Sequence, residues 1–243
     1  MTETLVRDAA PSGPAPERRY VTNADATCRM FASDLVERLS HVRPWVPHVI
    51  FVPVIALACF VGMERQGLAQ ATAWVLGGVL FWTVAEYVIH RFAFHPPQWI
   101  EDDTRRICAQ LGPDEAVIPA LPTLRHRFYF LVHGVHHDYP NDSTRLVMPP
   151  SVSIPLALGF WGLFVLVLGT PWAHVFTAGF LTGYLMYDMT HYHVHHHRPR
   201  TRLGKVVREL HMRHHFQDDT KGFGVSAPFW DYVFGTPQRR RTI

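Results

Sequence analysis

The sequence predicts an all-α integral membrane fold, with four transmembrane helices in two hairpins and a cytosolic helical cap. Three observations predict this fold: four apolar stretches of bilayer length, tight turns within each pair of stretches, and basic residues collected on one side. The 243 residues suffice for one domain with a tail.

The four apolar stretches are 17 to 19 residues long. As helices they would span roughly 25–29 Å, against a bilayer core of about 30 Å. They cover residues 45–62, 71–89, 151–169 and 171–187. Short connections inside the first pair and inside the second predict two hairpins. A soluble bundle of buried helices is the alternative, but four such spans exceed what a core of this size needs.

The basic residues predict the orientation of these hairpins. Of the 23 Lys and Arg residues, 22 fall in residues 1–44, 90–150 and 188–243, and only Arg65 lies on the opposite side. Such a bias places the basic side in the cytoplasm. The net charge of +3 is mild, so a membrane surface is a better partner than nucleic acid. Three separated cysteines without a Cys-x-x-Cys pair exclude a disulfide framework and a zinc knuckle.

The chain divides into an arm, a membrane domain and a tail. Residues 1–44 predict a cytosolic arm that is partly disordered, with a short amphipathic helix near 28–39, and they lack the apolar core of a secretory signal peptide. The membrane domain covers residues 45–237. Its cap consists of residues 90–150 and 188–237, and residues 238–243 form a basic tail.

The histidines are the strongest functional signal. Fifteen of the seventeen lie on the predicted cytoplasmic side, and ten form four clusters. The ten are His90, His95, His133, His136, His137, His191, His195, His211, His214 and His215. On a regular helix, an His-x-x-His-His box projects all three rings to one side. His90 and His95 are five apart, about 140° on a helix, so they converge only if the helix ends near Phe94.

Ten imidazoles at one end of a bundle are more than one metal ion uses, so the clusters predict a dimetal site in the cap. Imidazole suits iron, zinc and copper. The remaining histidines are interpreted as surface or capping residues, and three of them stay ambiguous as ligands. The first set is His41, His48, His126 and His174, and the ambiguous set is His193, His196 and His197.

Two carboxylates lie close to these clusters. Glu86 precedes His90 by four residues, and Asp188 precedes His191 by three. An acid near the end of an apolar span is costly unless it has a partner. A carboxylate that accepts the second N–H of a ligating imidazole fixes the orientation of the ring. Both acids are therefore predicted to support the ligands, with a solvated helix end as the alternative.

Several of these motifs resemble the fatty acid 2-hydroxylases. The resemblance rests on the His90–His95 and His133–His137 boxes, on Arg-Leu-Val-Met-Pro-Pro at 145–150 and on Tyr-Asp-Met-Thr-His-Tyr at 187–192 with His195. The box at 211–215, Phe-Gly-Val-Ser at 223–226 and Trp-Asp-Tyr-Val-Phe-Gly-Thr at 230–236 complete it. The similar region covers about residues 45–237. The boxes alone also fit sterol desaturases and carotenoid hydroxylases.

The resemblance implies a four-span fold with a cytosolic cap, the same ten histidines as ligands, and two iron ions, with zinc possible in purified protein. It implies O2 as co-substrate and hydroxylation at C2 of a long acyl chain, free or within a sphingolipid. A lipid desaturase, a sterol or carotenoid hydroxylase, and a non-enzymatic metal-binding membrane protein are the alternatives. Asn141, Asp142 and Arg145 are predicted to contact the polar head of the substrate, although interfacial snorkelling also explains Arg145.

Two regions depart from the family pattern. The arm of 44 residues is too short for the cytochrome b5 domain of fungal and animal members, so a separate electron donor is expected, cytochrome b5-like or a ferredoxin. Residues 96–132 form a longer segment than expected, which predicts a lid or a partner contact.

Overall fold

The computed structural model describes residues 20–112 and 114–239, and this part of the chain is helical without β-strands. The first 19 residues of the predicted arm and residues 240–243 of the predicted tail lie outside it. In chain order, the α-helices are α1 (Asp34–Ser40), α2 (Val46–Gln66), α3 (Leu68–Ile89), α4 (Gln98–Cys108), α5 (Val117–Ala120), α6 (Leu124–Tyr129), α7 (Val135–Asp138), α8 (Pro150–Leu168), α9 (Trp172–His196), α10 (Arg202–Phe216) and α11 (Phe229–Val233). Two π-helical turns, His90–Phe94 and Phe130–Gly134, continue α3 and α6.

Three helices are long and apolar enough to cross a membrane: α2, α3 with its π-turn, and α8. Their side chains are exposed over most of the surface; Leu57, Leu80 and Leu166 are 65%, 63% and 85% exposed. Contiguous apolar surface of this kind is solvated by lipid. The protein is therefore an integral membrane protein.

Gly67, with a φ of 77°, alone separates α2 from α3, so the first predicted tight turn is shorter than expected.

The helix α9 lies at the centre of the bundle and differs from the predicted fourth span. It packs against α2, α3 and α8, and fifteen of its 25 residues are buried. It is not among the three helices apolar enough to cross a membrane. A helix surrounded by other helices needs less apolar surface than one that faces lipid. It also continues without interruption past residue 187 to His196.

Two glycines allow α9 to approach α3 closely. A Cβ added at Gly179 would lie 2.0 Å from the Val75 carbonyl oxygen, and one at Gly183 would lie 2.5 Å from Trp82 Cβ. No side chain fits at these distances. The small-xxx-small pair of the sequence therefore marks the contact between the central helix and its neighbour.

The described part of the arm, residues 20–44, is folded against the cap. Met30 is buried in a cluster with Leu121 and Phe130. The Val117 amide donates a hydrogen bond to the Arg29 carbonyl oxygen at 3.0 Å. Burial of Met30 holds the arm in place. The helix α1 begins at Asp34 and is shorter than the helix predicted near residues 28–39.

The start of the predicted basic tail is also fixed. Gln238 is buried, and its Nε2 donates to the carbonyl oxygens of Asp218 at 2.6 Å and Lys221 at 2.7 Å. The folded part of the domain therefore extends at least to Gln238, one residue beyond the predicted boundary.

Candidate metal centre

Nine of the ten predicted ligands form two compact groups. In each group, one ligand atom per residue lies within 4.8 Å of every other. The larger group consists of His136, His191, His195, His211 and His215, and the smaller of His90, His95, His133 and His214. All nine are buried or, for His95, nearly so. Four separate sequence clusters therefore meet at one place in the structure.

The π-turn after α3 brings His90 and His95 together. The His95 amide donates to the His90 carbonyl oxygen at 3.2 Å, the i→i+5 bond of a π-helix. The wider turn places the two rings 5.2 Å apart between centroids. The sequence predicted convergence by an early helix end near Phe94. The helix does end at Phe94, and the wider winding of its last turn offsets the five-residue spacing.

The second box is divided between the two groups, and its three ring centroids lie 4.5 to 6.1 Å apart. His133 lies in the second π-turn and joins the smaller group, while His136 lies in α7 and joins the larger. His137 belongs to neither by mutual distance. Its Nε2 lies 2.9 Å from His133 Nε2, and its ring stacks on His215 at 4.3 Å between centroids. His137 thus lies between the groups.

The helices α9 and α10 supply the other ligands at regular helical spacing. His191 and His195 are one turn apart on α9, and His211 and His215 are one turn apart on α10. His195 Nε2 lies 2.9 Å from His211 Nε2. His214 turns away from these rings and joins the smaller group.

Backbone and carboxylate oxygens fix three rings of the smaller group through Nδ1. His90 Nδ1 donates to the Phe223 carbonyl oxygen at 2.7 Å, and His214 Nδ1 donates to that of Lys221 at 2.8 Å. His95 Nδ1 donates to Glu101 Oε1 at 3.0 Å. With the proton on Nδ1, the lone pair of Nε2 points into the centre.

The rings are also uncharged, which favours binding of a metal cation. Burial lowers the pKa of His95 to about 4 and the pKa of His214 to about 3. Burial, and then the neighbouring imidazoles, hold the pKa values of His133 and His137 well below the ordinary value. The rings are therefore neutral at neutral pH.

The facing nitrogens show that the donor set fits metal ions. The Nε2 atoms of His95 and His214 are 3.1 Å apart, although each ring places its proton on Nδ1. Two lone pairs at that distance do not form a hydrogen bond, and a cation between them removes the repulsion. Neutral imidazole is the ligand that iron, zinc and copper accept.

The two predicted supporting acids are buried in different surroundings. Glu86 is buried, and its carboxylate accepts hydrogen bonds from the amide and the hydroxyl of Ser226. No ring nitrogen of the described residues donates to it. It holds the segment that carries Phe223, so its effect on His90 is indirect. Asp188 is buried beside the cavity described below.

Glu101 and Asp231 support the centre and were not identified from the sequence. Glu101 lies in the 96–132 segment, so that segment forms part of the ligand shell. Asp231 accepts hydrogen bonds from the amides of Phe223 and Gly224 at 2.8 and 2.9 Å. An acid six residues after His95 was the available signal for Glu101. The Phe-Gly-Val-Ser motif marks the loop that Asp231 holds.

The predicted substrate contacts are occupied by the protein's own arm. Arg145 is buried and donates to Glu37, to Thr27 Oγ1 at 2.8 Å and to the Cys28 carbonyl oxygen at 2.6 Å. Asn141 donates to Asn23, and Asp142 accepts from Thr144. These contacts make Arg145 and Asn141 anchors of the arm, whereas Asp142 holds the local turn, and the role of all three in substrate binding stays a prediction.

The histidines set apart from the boxes also lie outside both groups. His41 contacts Arg145 and Thr144, His126 contacts Thr123 and Asp103, and His174 contacts Trp161. His126 is buried, whereas a surface or capping position was predicted. His193 and His197 are exposed at the end of α9.

An apolar cavity of about 410 Å³ ends against the centre. It reaches His133, His136 and His191, so it contacts both histidine groups. Its walls come mainly from α3, α8, α9 and the second π-turn. Phe128 and Leu131 line it and are 52% and 40% exposed, so it opens to the surface there.

Three buried polar side chains, Ser153, Tyr184 and Asp188, line the cavity. The Tyr184 hydroxyl lies beside both Ser153 and the Asp188 carboxylate. Within the described residues, Ser153 Oγ, the Tyr184 hydroxyl oxygen and Asp188 Oδ2 make no hydrogen bond of regular geometry, so this polar group keeps hydrogen-bonding capacity. A buried polar group inside an apolar cavity is suited to a ligand with polar and apolar parts.

Apolar spanning helices, a paired histidine site and an adjoining apolar cavity define a membrane metalloenzyme that acts on lipid. The model of the fatty acid hydroxylase family matches residues 121–236. A dihydroceramide fatty acyl 2-hydroxylase of Arabidopsis thaliana is 34% identical over 210 residues, which cover 86% of this chain and 79% of that protein. The chain belongs to the fatty acid hydroxylase family.

Two further proteins support this assignment. The fatty acid 2-hydroxylase of Mus musculus is 32% identical over 231 residues, covering 86% of this chain and 56% of that protein. A solved structure of full-length scs7p, in which only the hydroxylase domain is visible, is 33% identical with a TM-score of 0.73. The match covers 86% of this chain and 71% of that one.

Proposed function

We propose that this protein is an O2-dependent fatty acid 2-hydroxylase, which uses two iron ions held by the ten histidines. The substrate is a long acyl chain, free or within a sphingolipid. The observation that carries the proposal is the cavity: an apolar slot that opens at the surface ends against ligands of both histidine groups. The relatives named as 2-hydroxylases and dihydroceramide 2-hydroxylases point to the same reaction.

The arrangement in the membrane follows from the same proposal. The first half of α9 is the fourth span, enclosed by α2, α3 and α8, and the cap faces the cytoplasm. The distribution of Lys and Arg supports this orientation, because 22 of 23 lie on the side of the histidines. The exposed cavity residues Phe128 and Leu131 then face the acyl region, and substrate enters from the bilayer.

The protein contributes positioning, an apolar environment and neutral ligands. Bound iron supplies the activation of O2 that hydroxylation of an unactivated C–H bond requires. Walls such as Phe94, Leu156 and Phe160 hold the acyl chain and exclude water. The buried polar side chains of Ser153, Tyr184 and Asp188 bind the polar head, so that C2 lies close to the histidine groups. Nδ1–H donation to fixed oxygens keeps the Nε2 lone pairs of His90, His95 and His214 directed inward.

The test is mass spectrometry of lipids from cells that express the protein with iron and a competent electron donor. Wild type is compared with His214→Ala/His215→Ala, which removes a ligand from each group. The matched control is His193→Ala/His197→Ala, which removes two exposed histidines outside the groups. We expect 2-hydroxy acyl chains with wild type and control, and none with the ligand variant.

Other products would contradict the proposal. Loss of two hydrogens from the acyl chain would identify a desaturase, and oxygen added to a sterol or carotenoid would identify those hydroxylases. Separate analysis of free acids and sphingolipids shows which form carries the new hydroxyl group.

A further inference from the structure

A cluster of cations lies at the turn between α9 and α10. Arg198, Arg200, Arg202 and Lys205 are exposed, and we call them the apical basic cluster. Residues 189–208 contain no Asp or Glu. Within the described part of the chain, none of the four cations forms an ion pair. The turn therefore carries four exposed cations and no acid of its own.

Local folding does not explain these cations. Thr201 caps α10 by accepting a hydrogen bond from the Gly204 amide at 3.0 Å, so Arg202 and Lys205 lie at the beginning of the helix. The positive end of the helix dipole disfavours cations there, and the first turn of α10 contains no acid. Residues that contradict a local rule without compensation mark a functional surface.

The cluster is connected to the metal ligands by short stretches of rigid chain. Arg198 follows His195 by three residues, and Lys205 precedes His211 by six, about 9 Å along the helix. Arg208 fastens the two helices, because its Nη1 donates to the Val194 and His197 carbonyl oxygens at 2.6 and 2.8 Å. The surface thus lies directly behind ligands from two elements.

The cluster lies on the side of the cap away from lipid in the proposed membrane arrangement. From Tyr187 to His196, α9 rises about 14 Å beyond the predicted end of the span. Leu203 and Val206 are 74% and 51% exposed among the cations. A small apolar centre inside a charged rim is the composition of a transient protein interface.

We propose that the apical basic cluster docks an acidic one-electron carrier protein. This inference rests on the proposed function, since inserting one atom of O2 into C–H and reducing the other to water consumes two electrons and two protons. The carrier supplies the electrons singly, and solvent supplies the protons. Opposite charge steers the acidic carrier to the turn. The helix α10 then leads from the docking site to His211, His214 and His215.

The experiment measures carrier binding to the full chain in nanodiscs of neutral phosphatidylcholine. The probes are a plant-type [2Fe–2S] ferredoxin and the soluble haem domain of cytochrome b5, both acidic. Arg200→Glu/Arg202→Glu is compared with Arg106→Glu/Arg125→Glu, a charge-matched reversal at exposed cap positions. Replacing Arg202 at the helix beginning also improves the helix-dipole interaction, so loss of folding is not expected.

We expect the cluster variant to raise the Kd of at least one carrier by about tenfold at low salt, and the control to change it by less than twofold. Added salt should weaken wild-type binding. Failure of both carriers to bind wild type, or equal effects of the two variants, would overturn the inference. The inference would also fail if the cluster variant lost binding to phosphatidylserine vesicles in a flotation assay while its carrier binding stayed unchanged, because the cluster would then face lipid. Binding is measured without turnover, so absence of a hydroxylated product counts against the proposed function alone.

Discussion

Replacing Glu101 with glutamine removes the negative charge that holds His95 in the smaller histidine group. Glu101 Oε1 accepts from His95 Nδ1 at 3.0 Å, and both side chains are nearly inaccessible to solvent. A buried hydrogen bond to a charged group contributes about 1.5–3 kcal/mol. Each 1.4 kcal/mol is tenfold in affinity, so we expect metal binding to weaken by about 10–100-fold.

The assay is metal competition with a chelator of known affinity, read by elemental analysis of purified protein. The matched control is Asp102→Asn, which removes the neighbouring, exposed carboxylate of α4. Helix content and the unfolding temperature are measured for both variants. Metal affinity of Glu101→Gln within twofold of wild type, or an equal loss with Asp102→Asn, would refute the role assigned to Glu101.

Three further predictions concern packing, the cavity and pH. Gly179→Ala should lower the free energy of unfolding in detergent by about 1–3 kcal/mol through overpacking, whereas Gly159→Ala, which meets open space, should not. Tyr184→Phe should raise KM for acyl substrate, measured by steady-state kinetics, because it removes a buried hydroxyl that lines the cavity. For metal-free protein, His95 and His214 have folded pKa values of about 4 and 3, below the unfolded value. The unfolded state then binds more protons, so stability should fall as pH drops from about 6.5 toward 3, as measured by denaturant titration.

The sequence predicted those features that depend on helical spacing or on long apolar stretches. The spacing of His191 and His195, and of His211 and His215, already implies neighbouring rings on one helix face, and the structure shows them in one group. The apolar stretches predicted four spans, and three of them are helices long and apolar enough to cross a membrane. These features depend on residues close in sequence, where helix geometry alone determines proximity.

The rest depends on tertiary contacts or on backbone details without a residue signature. A π-turn shifts hydrogen bonds from i+4 to i+5, and nothing in the residues His90–Phe94 identifies that shift. The division of the second box follows from the same change in the second turn. Glu101 and His95 lie on either side of a helix break at Pro96 and Pro97, so the periodicity of a single helix does not predict their contact. Similarly, burial of Met30, not its local sequence, orders the arm.

The helix α9 runs without a break from the far side of the bundle to His196, so it fixes the distance between its membrane residues and its histidines. Its residues link membrane depth to the height of His191 and His195 by a fixed 1.5 Å per position. One residue inserted after Gly183 would turn both rings by about 100° away from their partners, whereas an inserted set of seven would nearly restore their direction about 10 Å higher. Length changes in this helix are therefore tolerated only in near-whole turns, and those turns determine how far from the bilayer midplane an acyl carbon meets the centre.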